Sequence, residues 1–283
     1  MELNEKKQLC LFAVNVREAI LRSTNSAKSG HPGGSLSATD YFTYLYNREL
    51  RIDPKNPKNP NRDRFVLSKG HVAPGLYATL AHKGFFPVKD LLTLRHIDSY
   101  LQGHPNMNMT PGVEMSTGSL GQGISAAAGM AKGAKYLGQD INVYVLLGDG
   151  ELAEGQVWEA TMFAAHYRLD NFCIAVDVNG LQIDGMTKDV MNTAPLDKKF
   201  EAFGCNVIQV DGHDFDELEK GFAKFHEGKG SGHPTVILMK TTKGKGISFM
   251  ENAGVWHGKA PNDEELQRGI EELEEIRRKI GEM

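Results

Sequence analysis

Residues 143–185 decide the fold. They read VYVLLGDGE (143–151), then an amphipathic segment, then FCIAVDVNGLQIDG (172–185). Residues 143–147 and 172–176 are short apolar runs of the kind that form buried strands. Between them, apolar and small side chains recur at helical spacing, at Val157, Ala160, Thr161, Ala164 and Ala165. The pattern predicts a βαβ unit, and hence an α/β fold with an open, mainly parallel sheet and helices on both faces.

Polar residues follow both predicted strands, with Gly148-Asp149-Gly150 after the first and Asn179 after the second. Ligands of open α/β sheets bind at this carboxyl edge. A carboxylate and an amide oxygen suit Mg²⁺ or Ca²⁺, and Mg²⁺ usually adds phosphate oxygens. The glycines allow close backbone approach, and free amides at the turn favour a diphosphate. The residues therefore predict a metal–diphosphate site, and the alternative is two turns without a ligand.

Further glycine- and histidine-containing segments surround this motif. They are AKSGHPGG (27–34), FVLSKGH (65–71), GHP (103–105), STGSLGQG (116–123) and WHG (256–258). Together with Gly148-Asp149-Gly150 and Asn179, which resemble a thiamine diphosphate motif, they stand in the order found in the transketolase family. Residues 15–260 are thus similar to the N-terminal, diphosphate-binding half of that family. The resemblance implies a thiamine-diphosphate-binding fold, with residues 1–283 as a single domain.

The resemblance also implies roles for individual residues. It assigns the metal ion, Mg²⁺ or Ca²⁺, to Asp149, Asn179 and the backbone carbonyl of Leu181. It assigns catalysis to four histidines, whose unperturbed pKa of ~6.5 suits proton transfer from sugar hydroxyls: His31, His71, His104 and His257. It assigns cofactor contacts to Lys69, His71, Gly118, Leu120, Gly148, Asp149, Gly150, Glu151, Asn179, Gln182, Ile183, His257 and Lys259. Ser119 departs from the family pattern, since many members have proline there.

Several other polar residues receive weaker assignments. Glu154 resembles a family glutamate at the dimer interface, while Glu159 is expected to be solvated. Lys243, in KTTKGKG (240–246), could meet either a diphosphate or solvent. His213 and His233 have no site role in the family.

The rest of the chain continues the alternation of helices and strands. We expect a loop over 51–62. We also expect Glu154 and Glu159 to lie on the helix that follows Gly148-Asp149-Gly150. The small-residue helix 124–137 is expected to be tightly packed and buried. The other predicted elements are helix 4–27, a helix from about Ser35, strand 65–68 with a helix opening at 69–71, a helix from 195 to 203, strand 205–210, helix 215–225, strand 235–239 and helix 262–281.

The composition is that of an ordinary globular protein, with 40% apolar and 24% charged residues among 283. The net charge of −4 gives no indication of nucleic acid or of an anionic membrane as a partner. Cys10, Cys173 and Cys205 lie in apolar runs without metal-ligand spacing, so we expect reduced core cysteines and a cytoplasmic protein. The N-terminus does not resemble a signal peptide.

The function implied is transfer of a two-carbon ketol unit between sugar phosphates, as in the pentose phosphate pathway. The family's activating glutamate and most of its sugar-phosphate contacts lie in a pyrimidine-binding domain that would follow residue 283. We therefore expect the N-terminal subunit of a split transketolase, active with a pyrimidine-binding partner in an α₂β₂ heterotetramer. Helix 124–137 and the Glu154 region are the interface candidates.

Three alternatives remain open at this stage. One is a shortened piece of a longer enzyme. Another is a subunit of a different thiamine diphosphate enzyme, similar to deoxyxylulose phosphate synthase or to the α chain of a 2-oxo-acid dehydrogenase. The third is a thiamine-diphosphate-binding module without catalysis.

Overall fold

A five-stranded parallel sheet forms the centre of the computed structural model, which describes residues 1–183 and 185–283. The strands are, in chain order, β1 (Arg64–Leu67), β2 (Val143–Gly148), β3 (Phe172–Val178), β4 (Leu181–Gln182), β5 (Gly185–Met186), β6 (Asn206–Asp211) and β7 (Thr235–Lys240). The sheet has the order β1-β2-β3-β7-β6, and β4 and β5 form a separate antiparallel pair. The predicted βαβ unit is confirmed, because β2 and β3 pair in parallel from Val143 opposite Phe172 to Gly148 opposite Asp177.

In this described part of the chain, ten α-helices connect and flank the strands. They are α1 (Leu3–Ala27), α2 (Pro32–Ser37), α3 (Thr39–Tyr44), α4 (Ala73–His82), α5 (Gln122–Tyr136), α6 (Gly155–His166), α7 (Thr187–Val190), α8 (Leu196–Ala202), α9 (Phe215–Glu227) and α10 (Asp263–Glu282). Short 3₁₀ turns span Gly70–Val72, Val88–Thr93, Gly150–Ala153 and Gly254–His257, and a π-helical turn spans Leu45–Glu49. Among the helices of the described residues, none has the length and apolarity needed to cross a bilayer.

The sheet separates two hydrophobic cores. Along β2, Tyr144 and Leu146 face one core, while Val143, Val145 and Leu147 face the other. The first core is shared with buried residues of α1, α3, α4, α9 and α10, and the second with residues of α5, α6 and α8. Helices therefore cover both faces of the sheet, which confirms the predicted α/β class. Burial on both sides also explains why the central strands are apolar runs.

The two long terminal helices agree closely with their predicted ranges. They pack against each other, with Leu273 and Ile280 of α10 buried in the core that contains Leu9 and Ile20 of α1. A capping box fixes the start of α10, since Asn262 and Glu265 each accept a hydrogen bond from the other's backbone N–H. Loop 51–62 consists of turns and bends, as expected.

Three local expectations were wrong. The helix expected near Ser35 begins at Pro32, because proline suits the first turn of a helix, where its missing N–H is not needed. Glu154 precedes α6 with an extended backbone (ψ 123°) and does not lie on the helix. Cys10 is only partly buried, whereas Cys173 and Cys205 are core residues.

The expectation of a tightly packed, buried small-residue helix was wrong for one face of α5. Ala127 and Ala131 on one face of α5 are buried against the sheet. On the other face, a Cβ built on Gly129 or Gly133 meets no heavy atom of the described residues within 4 Å, and Tyr136 is 85% exposed. Small residues occur on both faces of α5, so the sequence pattern could not reveal that one face is open.

Candidate functional site

The carboxyl ends of four neighbouring strands meet around a cavity of about 400 Å³. Lys69 lies just after β1, Asp149 after β2, Asn179 after β3, and Lys243 three residues after β7. The parallel pairing of these four strands therefore brings together residues that are far apart in the sequence, such as Lys69 and Lys243. This is the edge of the sheet at which the sequence predicts a ligand.

Most of the predicted site residues line this cavity, and His104 and Lys259 do not. The predicted residues that line it are His31, Lys69, His71, Gly118, Leu120, Gly148, Asp149, Gly150, Glu151, Asn179, Leu181, Gln182, Ile183 and His257. Gly34, Ala153, Glu154 and Lys243 line it as well. The roles assigned to the lining residues remain predictions.

The carboxylate of Asp149 is held in place by backbone amides. Its Oδ1 accepts from the Gly150 N–H (2.8 Å), and its Oδ2 accepts from the Gly180 N–H (2.6 Å) and the Thr187 hydroxyl (3.2 Å). Burial, and then the charge of Asp177, raise the pKa of Asp149, while Lys69 and the two amides oppose the shift. The carboxylate is thus oriented but poorly compensated, and a nearby cation would stabilise its charged form.

Asn179 has a defined amide orientation. Its Nδ2 donates to Asp177 Oδ2 (3.2 Å) and Ser37 Oγ (3.3 Å). Its Oδ1 accepts from the Leu181 N–H (3.1 Å). Both N–H groups of Nδ2 face acceptors, so the hydrogen bonds identify which amide atom of Asn179 is the oxygen. This oxygen accepts one hydrogen bond and has a second lone pair that can bind a cation.

Asp177, which was not among the residues predicted from the sequence, connects these groups. This fully buried carboxylate accepts from Lys69 Nζ (2.7 Å), from Ser37 Oγ (2.7 Å) and from the Thr241 hydroxyl. Burial alone would raise the pKa of Asp177, but the charge of Lys69 and these hydrogen bonds outweigh it and hold the pKa below its usual value. The available signal was a charged residue inside an otherwise apolar strand, where an unpaired charge is costly.

Lys243, left without a firm assignment, is buried beside His257. Its Nζ lies 2.9 Å from His257 Nδ1 and 3.5 Å from the Leu181 carbonyl oxygen. Burial and the charge of Lys69 lower the pKa of Lys243 to about 8. The signal that could have identified it is its position three residues beyond a strand, at the ligand edge.

Three of the predicted catalytic histidines form a cluster beside these lysines. Ring centroids are 5.3 Å apart for His31 and His71, 5.4 Å for His31 and His257, and 5.0 Å for His71 and His257. Burial, followed by nearby positive charge, lowers the pKa of His31 to about 4, that of His257 to about 3 and that of His71 well below its usual value. All three are therefore neutral at pH 7 and can both donate and accept hydrogen bonds.

The predicted loop around Gly118 packs tightly against the end of β1. Gly118 has φ +154°, and a Cβ there would lie 2.9 Å from His104 Cδ2. The Thr117 hydroxyl donates to the Leu67 carbonyl (2.6 Å), which fixes the loop to the strand. The side chain of Leu120 is half-buried at the cavity.

Glu151 is already bonded within the chain. Its Oε1 accepts from the Ser68 hydroxyl and the Gly121 N–H (2.8 Å), and its Oε2 accepts from the Gly148 N–H (3.1 Å). Burial raises the pKa of Glu151. This carboxylate therefore fastens together the ends of β1 and β2 and the start of α5.

Gln182 and Ile183 complete the cavity on the side of β4. Among the described residues, neither the buried Gln182 Nε2 nor the buried His31 Nδ1 has a hydrogen-bond partner. Ile183 is 70% exposed beside the cavity. The two unpartnered polar atoms suit a site that a ligand completes.

His104 and Lys259 lie apart from the other predicted residues. His104 is at the margin, with its ring centroid 6.4 Å from that of His31, and burial and then Arg95 lower its pKa. Lys259 pairs with Glu265 and lies 4.3 Å above the Trp256 ring. The structure therefore does not bring the Lys259 side chain to the cavity.

The donor set fits a divalent cation bound together with an anionic ligand. Within residues 1–183 and 185–283, no three His, Cys, Asp or Glu side chains cluster as a metal site. A cation would thus depend on the Asp149 carboxylate, the Asn179 amide, a backbone carbonyl and oxygens of the ligand. Mg²⁺ commonly has such a shell, with one or two carboxylates and phosphate oxygens.

Comparison with known proteins shows similarity to transketolases. Residues 11–279 match the family model for the transketolase, thiamine diphosphate binding domain. The chain is 45% identical over 259 residues to an apulose-4-phosphate transketolase subunit of Actinobacillus succinogenes, covering 92% of this chain and 93% of that protein. It is 43% identical to the 6-deoxy-6-sulfo-D-fructose transketolase subunit SqwG of a Clostridium species, with 92% and 94% covered.

The fold is also similar to solved transketolases. A transketolase mutant from Pichia stipitis superposes with a TM-score of 0.88 at 28% identity. The match covers 97% of this chain and 43% of that one, so the chain spans less than half the length of this structural neighbour.

Proposed function

This chain belongs to the transketolase family, and we propose that it serves as the thiamine-diphosphate-binding subunit of a two-subunit transketolase. The observation that carries the proposal is the pairing of Asp149 with Asn179 at adjacent strand ends, facing a cavity that also contains Lys69 and Lys243. Oxygen ligands for a cation and two lysines for a diphosphate thus line the same space. Residues 1–283 act in this proposal as one domain.

Asp149, Asn179 and the Leu181 carbonyl hold Mg²⁺, or Ca²⁺, in this proposal. Lys243 provides positive charge for a bound diphosphate, and Lys69, whose charge is paired with Asp177, provides further N–H donors. The Lys243 ammonium lies 3.5 Å from the Leu181 carbonyl oxygen and 2.9 Å from His257 Nδ1. It has three N–H donors, so it can also donate to a diphosphate oxygen in the cavity.

Thiamine diphosphate, when bound, supplies the carbon nucleophile and the electron sink needed to cleave a bond next to a ketose carbonyl. The residues of this chain position the cofactor and handle protons. His257 Nδ1 accepts from the protonated Lys243, which leaves the proton of the neutral imidazole on Nε2. His257 Nε2 is then the atom that donates, and His31, His71 and His104 provide further neutral donors and acceptors at the sugar hydroxyls.

The substrates are proposed to be anionic sugars. One similar protein is named for apulose 4-phosphate and another for a sulfonated fructose, and both sugars carry a terminal anion. Sugar phosphates of the pentose phosphate pathway are the first substrates to test. The three free cysteines support a cytoplasmic location.

The partner is proposed to be a pyrimidine-binding subunit, in an α₂β₂ heterotetramer with closed two-fold symmetry. The open face of α5, with Gly129 and Gly133, permits close backbone approach by another chain. Glu154 is exposed and also lines the cavity, so it can reach both a partner and the cofactor. These two regions support an interface that crosses the site.

The experiment is a transfer assay with xylulose 5-phosphate and ribose 5-phosphate, followed by a panel of other ketoses including sulfonated ones. The chain is assayed alone and mixed with the product of the neighbouring gene. We expect turnover in the mixture, which is abolished when the partner's activating glutamate is replaced by alanine. Full turnover by the chain alone contradicts the two-subunit proposal.

A binding module without catalysis is the second candidate. Cofactor binding without turnover in any mixture or with any sugar of the panel would favour that candidate.

A further inference from the structure

A second cluster of charged side chains lies behind the cavity, on the side of α1. Arg17 Nη2 is 2.6 Å from Asp40 Oδ2, and these side chains are 9% and 6% exposed. His213 Nδ1 approaches the same carboxylate oxygen at 2.7 Å. The three residues border a separate cavity of about 260 Å³. Neither the family resemblance nor the proposed function gives any of them a role.

The hydrogen bonds of His213 fix its tautomer. The backbone N–H of Thr242 donates to His213 Nε2 (2.8 Å), so this nitrogen carries no proton. The proton of the neutral ring is therefore on Nδ1, which donates to Asp40. Burial alone would raise the pKa of Asp40, but Arg17 and His213 outweigh it and keep the pKa below its usual value. Asp40 is thus an ionised acceptor that holds the imidazole in one orientation.

The cluster bonds to the segment 242–245 at both ends. His213 accepts from the Thr242 N–H, and Arg17 Nε donates to the Lys245 carbonyl (3.1 Å). Lys243 lies between these two anchor points, and its side chain points to the opposite side, into the cofactor cavity. The backbone of this segment is therefore fixed from behind while its lysine faces the site.

We infer that His213, oriented by Asp40, is a positioning residue that places the Lys243 ammonium in the cofactor cavity. The inference deepens the proposed function and rests on it, since Lys243 matters there as a diphosphate contact. The hydrogen bond from Thr242 fixes the backbone one residue before Lys243. Its loss allows the segment to shift, and a small shift is enough to separate Lys243 Nζ from a diphosphate oxygen.

Two amide substitutions separate this role from a general effect on stability. In His213→Asn, the side-chain NH₂ can replace Nδ1 and still donate to Asp40, but the amide is too short to accept from Thr242. In His213→Gln, the longer side chain can present its oxygen to the Thr242 N–H. His226→Asn is the matched control, because His226 is an exposed histidine paired with Glu49. Arg17→Lys keeps the charge beside Asp40 but cannot also reach the Lys245 carbonyl.

The test measures two quantities in the assembled complex with its partner. The first is hydrogen exchange of a peptide covering residues 241–246. The second is the Kd for thiamine diphosphate with Mg²⁺, measured by calorimetry for each single variant, for Lys243→Met and for His213→Asn combined with Lys243→Met. A double-mutant cycle reveals whether the two side chains act through each other.

We expect His213→Asn to speed exchange in the segment and to raise Kd about tenfold, the effect of losing one hydrogen bond. His213→Gln should stay close to the wild type, and Lys243→Met should add little in the His213→Asn background. If His213→Asn does not fold, Arg17→Lys should show the same two effects. Wild-type exchange of the 241–246 peptide in His213→Asn and in Arg17→Lys overturns the inference. So do effects of His213→Asn and Lys243→Met on Kd that multiply in the double variant.

The proposed function and this inference fail in different ways. If the wild-type complex binds no thiamine diphosphate, the proposed function is wrong. The exchange rates of the Asn and Gln variants then decide whether His213 holds the segment.

Discussion

Lys69 and Asp177 form a buried ion pair at the ends of β1 and β3, with Nζ 2.7 Å from Oδ2 and side chains 4% and 0% exposed. The pair joins two strands that are separated by β2 in the sheet. Asp177 also binds Ser37, Asn179 and Thr241, so one carboxylate organises the polar groups on three sides of the cavity.

We predict that Asp177→Asn destabilises the protein by about 3–5 kcal/mol at pH 7, because it leaves Lys69 buried beside a neutral amide. The pKa of Asp177 in the folded protein lies below its usual value. The ionised carboxylate therefore contributes its full share to the free energy of unfolding above the unfolded-state pKa of about 3.9, and this share is lost as the pH falls through the folded-state pKa. The difference between wild type and variant should therefore shrink below about pH 4. Urea unfolding at pH 7 and below pH 4 measures both effects.

The exposed pair of Lys28 and Asp263, 2.8 Å apart, provides the control. Asp263→Asn should change stability much less, since solvent screens that pair. Equal losses in the two Asp→Asn variants would contradict a special role for the buried pair.

A second prediction concerns pH and Lys243. Its pKa in the free site is about 8, and binding of a diphosphate anion should raise it. Below pH 8 the lysine is charged before binding. Above pH 8 a proton must be taken up on binding, so affinity should fall as the pH rises, by at most about tenfold per pH unit.

Calorimetry at pH 7, 8 and 9, in two buffers with different ionisation enthalpies, detects this proton uptake directly. Lys243→Met should weaken binding at pH 7 and remove most of the pH dependence between 8 and 9. Lys224→Met, on the exposed side of α9, should behave like the wild type. An unchanged pH profile in Lys243→Met would show that another group titrates.

A third prediction concerns the histidines. His31→Ala, His104→Ala and His257→Ala should each lower kcat by about 10²–10⁴, the usual range for a general acid or base, while the fold is retained. His233→Ala is the control, because His233 also lies beside a glycine but precedes β7 at the opposite edge of the sheet. Wild-type turnover in all three variants, on the physiological donor, would leave the proton-transfer roles without support.

The sequence was sufficient to predict the sheet, because residues 143–147 and 172–176 are continuous apolar runs that are followed closely by Asp149 and Asn179. It also predicted the ligand edge, since those residues follow adjacent strands. Asp177 was missed because it directly follows the apolar run 172–176 that made β3 recognisable, and the sequence does not show whether a carboxylate at that position is buried. Only the folded chain shows that Lys69, from another strand, provides its countercharge.

The remaining differences have similar physical causes. A lysine in a loop reaches either a ligand or solvent, and packing decides which. Lys243 is therefore buried at the cavity, whereas Lys259 pairs with Glu265 away from it. The open face of α5 was hidden by small residues on both sides of the helix, which satisfy a buried and an exposed position equally well.

The most direct test of the account is the affinity of the assembled protein for thiamine diphosphate, measured by calorimetry with Mg²⁺ and with EDTA. For the wild type, the account predicts tight binding of thiamine diphosphate with Mg²⁺ and much weaker binding with EDTA. For Asp149→Asn and Asn179→Ala, it predicts that affinity is low in both conditions, close to that of the wild type in EDTA. Each substitution removes an oxygen ligand or its charge from the proposed metal shell. Equal affinity with Mg²⁺ and with EDTA, or wild-type affinity in both variants, would contradict the site at its centre.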